Sequence, residues 1–156
     1  MKYILFVVIV LLTTNVKAQE PCRPDRAPDA PCGDIFKFRE HGNLRWTDER
    51  ASLDGLADIF RRSSNQLIYF LIYLGVDSCK NEARLRALRA KKYLVQHHRI
   101  PQNDIVWKSG GFRKDLSVEI WLLPKGKPLP EPDTLFVIDP APRVSRKCKE
   151  LKQGSW

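Results

Sequence analysis

Residues 67–74 read Leu67-Ile68-Tyr69-Phe70-Leu71-Ile72-Tyr73-Leu74, an unbroken apolar and aromatic run set between Ser63-Ser64-Asn65 and Gly75. Eight residues are strand length and too short to cross a bilayer. The β-branched and aromatic content, with turn formers on both flanks, predicts a central strand. Tyr69, Leu71 and Tyr73 share one face; Ile68, Phe70, Ile72 and Leu74 share the other. Both faces therefore need covering.

On either side of this run the period becomes helical. Upstream, Thr47-Asp48-Glu49 offers a capping hydroxyl and two acids for a positive first turn. Leu53, Leu56, Ala57 and Phe60 then recur at helical spacing, and Arg61 and Arg62 close the helix. Downstream, residues 81–98 contain neither Gly nor Pro and stop before Pro101. Further out, Ile35 to Phe38 reads as a short strand followed by a turn at His41-Gly42-Asn43. Ile105 to Trp107 reads as another short strand, Ser109-Gly110-Gly111 as a turn, and Leu116 to Leu123 as the last strand. The order β-α-β-α-β-β predicts an α/β (α+β) two-layer sandwich rather than a doubly wound sheet.

A chain of 156 residues with 43% hydrophobic content has one domain's worth of core. Its ends differ from its middle. Lys2, the apolar run Tyr3 to Leu12 and Val16-Lys17-Ala18 have the form of a secretory signal over residues 1–18. Gln19-Glu20-Pro21 before Cys22 is not a lipobox. Residues 19–33 form a Pro-rich, cysteine-containing leader, 34–125 the domain, and 126–156 a Pro-rich basic tail. The expected location is periplasmic or extracellular, with no transmembrane segment in the mature chain. The formal charge of +9 falls to +7 when Lys2 and Lys17 leave with the signal. Such a surface favours anionic partners.

Export favours disulfides for Cys22, Cys32, Cys79 and Cys148. Of the three connectivities, Cys22–Cys32 with Cys79–Cys148 is expected. Cys22 and Cys32 share one short segment. Cys32 precedes the first strand and Cys79 follows the second, so parallel strands would place those two at opposite ends of the sheet. No pair has C-x-x-C spacing, and His41, His97 and His98 lack metal-ligand spacing, so no metal or cofactor is expected. Adjacent His97 and His98 fit a helix C-terminus instead. No nucleophile, P-loop or zinc-protease motif is present, and Asp54 and Asp58, one helical turn apart, are expected to be solvated. The chain does not read as an enzyme. Export and the lack of stacking aromatics in the basic helix argue against nucleic acid.

In the second helix and beyond, Leu85, Arg89-Ala90, Tyr93-Leu94-Val95, Ile100, Ile105, Gly110-Gly111 and Val118-Glu119-Ile120 fall in the order seen in OmpA-like domains. That family carries N-x-x-L-S-x-x-R-A-x-x-V-x-x-Y-L, a Gly-Ile turn and an R-V-E-I strand. Residues 48–54 and Val118-Glu119-Ile120-Trp121 also resemble a divergent exported branch, so the resemblance covers roughly residues 34–125. It implies non-covalent binding of the peptidoglycan stem peptide, an Asp and an Arg holding the charged groups of diaminopimelate. The Arg falls on Arg89, whose planar fork suits a carboxylate. The Asp falls on Leu74, or on Asp77 if the loop is three residues shorter. The family Asn falls on Glu82 and the family Ser on Arg86, which departs from the pattern.

Two readings follow. One is a non-catalytic envelope module that binds peptidoglycan through Arg89 and Asp77. The other is an exported basic protein that kept the scaffold and binds another protein or an anionic surface polymer. Under the first, Arg89→Ala should cut affinity by about tenfold to a hundredfold, and Arg86→Ala much less; the plainer alternative takes Lys80, Arg84, Arg86, Arg89, Lys91, Lys92 and Arg99 together as a solvated basic face. The apolar face of Tyr69, Leu71 and Tyr73, extended by Trp121 and Leu123, is expected to be covered by Leu135 to Ile138 of the tail, or else by a homodimer partner.

Overall fold

The computed structural model describes residues 35–63, 65–139, 141 and 148. The signal segment, the leader and the Cys22–Cys32 pairing lie outside the described residues. The elements are β1 (Phe36–His41), α1 (Trp46–Arg62), β2 (Gln66–Leu74), α2 (Glu82–His98), β3 (Ile105–Phe112) and β4 (Ser117–Pro124), with 3₁₀ turns at Gln102–Asp104 and Thr134–Phe136. The strands form one sheet in the order β1-β4-β2-β3. β2 runs parallel to β3 and antiparallel to β4, and β4 runs antiparallel to β1. The apolar run thus becomes an interior strand with helices on one face. The expected two-layer α/β arrangement is found. No helix among the described residues is long and apolar enough to cross a membrane.

Leu53, Leu56 and Ala57 of α1 and Ala87, Ala90 and Leu94 of α2 bury against Ile68, Phe70, Ile72, Ile120 and Leu122. Alanines on α2 let its backbone lie close to the sheet, which a row of leucines would prevent. The opposite face holds a second cluster of Tyr69, Leu71, Tyr73 and Leu123, with Val137 of the tail packed against it. The tail does cover this face, but with one side chain of the expected four residues. Asp133 caps the 3₁₀ turn by accepting from the Leu135 N–H, and the turn leaves Leu135 86% and Phe136 67% exposed. The Ile138 N–H donates to Phe112 O at 2.7 Å, and the Asp133 N–H donates to the Tyr73 hydroxyl at 3.0 Å. Burial raises Tyr69 to about 12, and its hydroxyl has no hydrogen-bond partner among the described residues.

Three local expectations are corrected. Ser109-Gly110-Gly111 is not a turn: β3 continues to Phe112 with a bulge, Ile72 pairing with Ser109 and Tyr73 with Gly111. The Tyr73 ring lies where a side chain on Gly110 would stand, and Gly111 has φ +96°. A glycine pair within a strand marks such a bulge and close approach. Thr47 is not the cap of α1; the helix starts at Trp46, and Arg45 at the cap position makes no side-chain capping bond, its guanidinium instead facing Asp48 at 3.4 Å. β1 extends to His41 rather than stopping at Phe38, with a bulge between Lys37 and Arg39.

α2 ends where Arg99 turns left-handed at φ 56°, its N–H bonded to Val95 O and that of Ile100 to Leu94 O. Glycine is the usual residue there, because a Cβ crowds the carbonyl. Arg99→Gly is expected to stabilise the fold by about 1 kcal/mol. A urea unfolding curve with a raised midpoint and unchanged slope would report it; an unchanged or lowered midpoint would show that Arg99 is not strained.

Candidate cleft at the carboxyl end of the central strand

The loops leaving β1, β2 and β3 converge beyond the C-terminal end of β2. Gly75 makes the approach possible, since a Cβ there would stand 2.7 Å from Leu116 N. The Val76 N–H donates to Lys114 O, and the Gly75 N–H donates to Ser78 Oγ. The open cleft between these loops has a volume of about 170 Å³ and is lined by Asn43, Asp77, Ser78, Glu82, Lys114 and Asp115, with Gly75 and Leu116.

Glu82 is the anchor of the cleft wall. It accepts from Arg86 Nε and Nη2 through Oε1 at 2.9 and 2.8 Å, and from the Cys79 N–H through Oε2 at 3.0 Å. Arg86 Nη2 also donates to Asn43 Oδ1 at 2.6 Å. The Arg86 side chain is only 5% exposed. Arg86 is therefore not part of a solvated basic face, as its spacing suggested, but ties the loop after β1 to the start of α2. The Glu82–Arg86 spacing of four, acid first, was a signal for this pair that reading the helix cations together obscured.

Arg89, one turn further along, meets a different acid. Its Nη2 is ion-paired with Glu49 of α1, and its guanidinium stacks 4.4 Å from the Trp46 ring centroid. Arg89 does not line the cleft. Asp77 does line it, on an exposed stretch of the loop after β2. The two residues that the resemblance paired thus lie in different settings, one in the open cleft and one 13% exposed between the helices. Glu49 was missed because its partner lies on another element, and its place between Asp48 and Arg50 gave no sign of burial.

The remaining polar features are structural in character. Cys79 and Cys148 are joined, with Cα atoms 4.9 Å apart, so the expected pairing is found there. His97 and His98 occupy the last turn of α2, as expected. Asp54 is not simply solvated: it accepts from the Tyr93 hydroxyl and pairs with His98 Nε2, each at 2.7 Å. Burial alone would raise Asp54, but these hydrogen bonds hold its carboxyl below its ordinary 3.8. A lowered carboxyl contributes stability above that value and loses it as pH falls through the folded-state value. Asp54→Asn is therefore expected to flatten the loss of stability below about pH 4, read by urea midpoints across the acid range. Identical pH slopes would contradict this.

A second charged cluster lies on the outer face. Glu119 is buried on β4 and faces Lys37 at 3.4 Å and Arg113 at 3.6 Å, while accepting from Trp121 Nε1 at 3.1 Å. Arg113 stacks 3.3 Å from the Tyr73 ring centroid. The hydrogen bond from Lys37 holds the Glu40 carboxyl below its ordinary value despite partial burial. The chain matches no family model, no curated protein and no solved structure in the comparisons made.

Proposed function

We propose that this chain is an exported, non-catalytic cell-envelope protein on an OmpA-like scaffold, contacting an anionic surface polymer by distributed positive charge. The observation that carries the reading is the engagement of Arg89 by Glu49 and Trp46. A guanidinium already matched by a carboxylate of its own chain gains little from a ligand carboxylate, because the internal pair must first be broken. Arg86 is matched in the same way by Glu82. Outside these pairs, Arg84, Lys92 and Arg99 are exposed on or just beyond α2, and Lys80 just before it. The single acid of α2, Glu82, is buried. The helix thus presents cations outward, as a polyanion contact requires.

The stem-peptide reading retains one observation, the presence of Asp77 and Lys114 on the same cleft. Sedimentation with purified peptidoglycan separates the two. On the proposed reading, binding falls away between low and high salt and is untouched by excess free stem peptide. Binding that resists salt and is displaced by the stem peptide would overturn it.

A further inference from the structure

Beyond the polymer contact, and resting on the same outward positive charge, we infer that the outer side of α2 and the adjoining start of β3 adsorb to the surface of an anionic phospholipid bilayer. The cations meet the headgroups, and Leu85, Leu88 and Trp107 enter the layer beneath them.

A contact made by charge alone needs no apolar groups, yet two of the exposed positions of α2 are leucines. Leu85 is 38% and Leu88 44% exposed, about one helical turn apart. They share the outer side of the helix with Arg84 and Lys92, both exposed. Lys91 reaches over the edge of the sheet, its Nζ donating to Ile105 O at 2.8 Å. Trp107 shares the helix-bearing face with Ile105 by strand alternation, and it pairs with Phe70 of the core beneath the helices. Because β2 and β3 are parallel and joined through α2, the helix runs back against them. Two residues along β3 from Ile105 is about 6.6 Å, roughly one turn back along α2 from Lys91. That is the level of Leu88, and Trp107 is 36% exposed there.

Apolar side chains set among cations match a layered partner, with anions at its surface and hydrocarbon below. The stems of Arg84 and Lys92 can lie along the leucines while their heads stay with the phosphates. An indole suits the same boundary, its ring in the apolar layer and its N–H toward the polar one. Among the acids near this face, Glu82 is buried against Arg86, and Asp104 before β3 is ion-paired with Lys125 at 2.6 Å. Asp77 and Asp115 line the cleft at the start of α2. A soluble polymer would engage the same cations and leave the leucines in water.

The exported form, without residues 1–18 so that their apolar run cannot itself insert, is titrated with three probes. These are vesicles of phosphatidylglycerol mixed with phosphatidylcholine, vesicles of phosphatidylcholine alone, and dextran sulfate, a polyanion without hydrocarbon. Binding is expected to the mixed vesicles and to dextran sulfate. Leu85→Gln with Leu88→Gln is expected to bind the mixed vesicles about tenfold or more weakly, and dextran sulfate within about twofold of the native protein. Lipids brominated in the acyl chains are expected to quench the tryptophan fluorescence of the native protein but not that of Trp107→Phe. Native affinity of the leucine variant for the mixed vesicles, an equal loss on both probes, equal binding to phosphatidylcholine alone, or quenching unchanged in Trp107→Phe would overturn the bilayer contact. Binding to dextran sulfate without binding to the mixed vesicles would overturn it and leave the polymer reading standing. Binding to neither would overturn both.

Discussion

Replacing Arg86 with alanine is expected to cost the fold about 3–5 kcal/mol, a large part of the stability of a domain this size. The substitution removes the guanidinium and leaves Glu82 buried without its partner, and it unties Asn43 from α2. The charge left behind does the damage, more than the loss of attraction. Glu82→Gln combined with Arg86→Met should accordingly recover most of the loss, because no charge is then desolvated and Gln can still accept from the Cys79 N–H. Urea unfolding of the native, single and double variants makes the comparison. A single variant with a native midpoint would mean that water already reaches the pair.

Gly110→Ala is expected to be the second most damaging single change, at about 1–3 kcal/mol or more. The Tyr73 ring occupies the space the new methyl needs, and it cannot simply swing aside. Arg113 is stacked on it, and its hydroxyl takes the Asp133 N–H. The strain should therefore spread to the tail around Asp133. Tyr73→Leu in the same chain should remove most of the additional cost, since the shorter side chain vacates the site. Equal penalties for Gly110→Ala in both backgrounds, measured by thermal and urea unfolding, would show that the ring is not what constrains this glycine.

The sheet, the two helices and their order could be read from residues 34–125 because burial on both faces of 67–74 and the helical periods around it are local signals. The glycine pair could not be read so easily. Gly-Gly fits a turn and a bulge equally well, and Tyr73, distant in sequence, decides between them. The same limit governs the candidate site. Arg89 sits where a family motif puts its ligand-binding arginine, but helix spacing says nothing about which acid another element will bring to it. Glu49 arrives from α1 only once the helices pack. In the tail, the apolar character of Leu135 to Ile138 marked a cover, while the cap by Asp133 determines that Val137 points inward and its two apolar predecessors point out.

The most direct test of the central claim, that Arg89 is ion-paired with Glu49 through Nη2 and does not hold a ligand, is the affinity of three folded proteins for an anionic envelope polymer across a salt series. Arg89→Met with Glu49→Gln deletes the guanidinium without stranding a buried carboxylate, and Arg84→Ala deletes an exposed cation on the outer side of α2. The account expects the double variant to bind within about twofold of the native protein, and Arg84→Ala to bind more weakly with a shallower salt dependence. A loss of about tenfold or more in the double variant, with Arg84→Ala unaffected, would contradict it and return Arg89 to a ligand site.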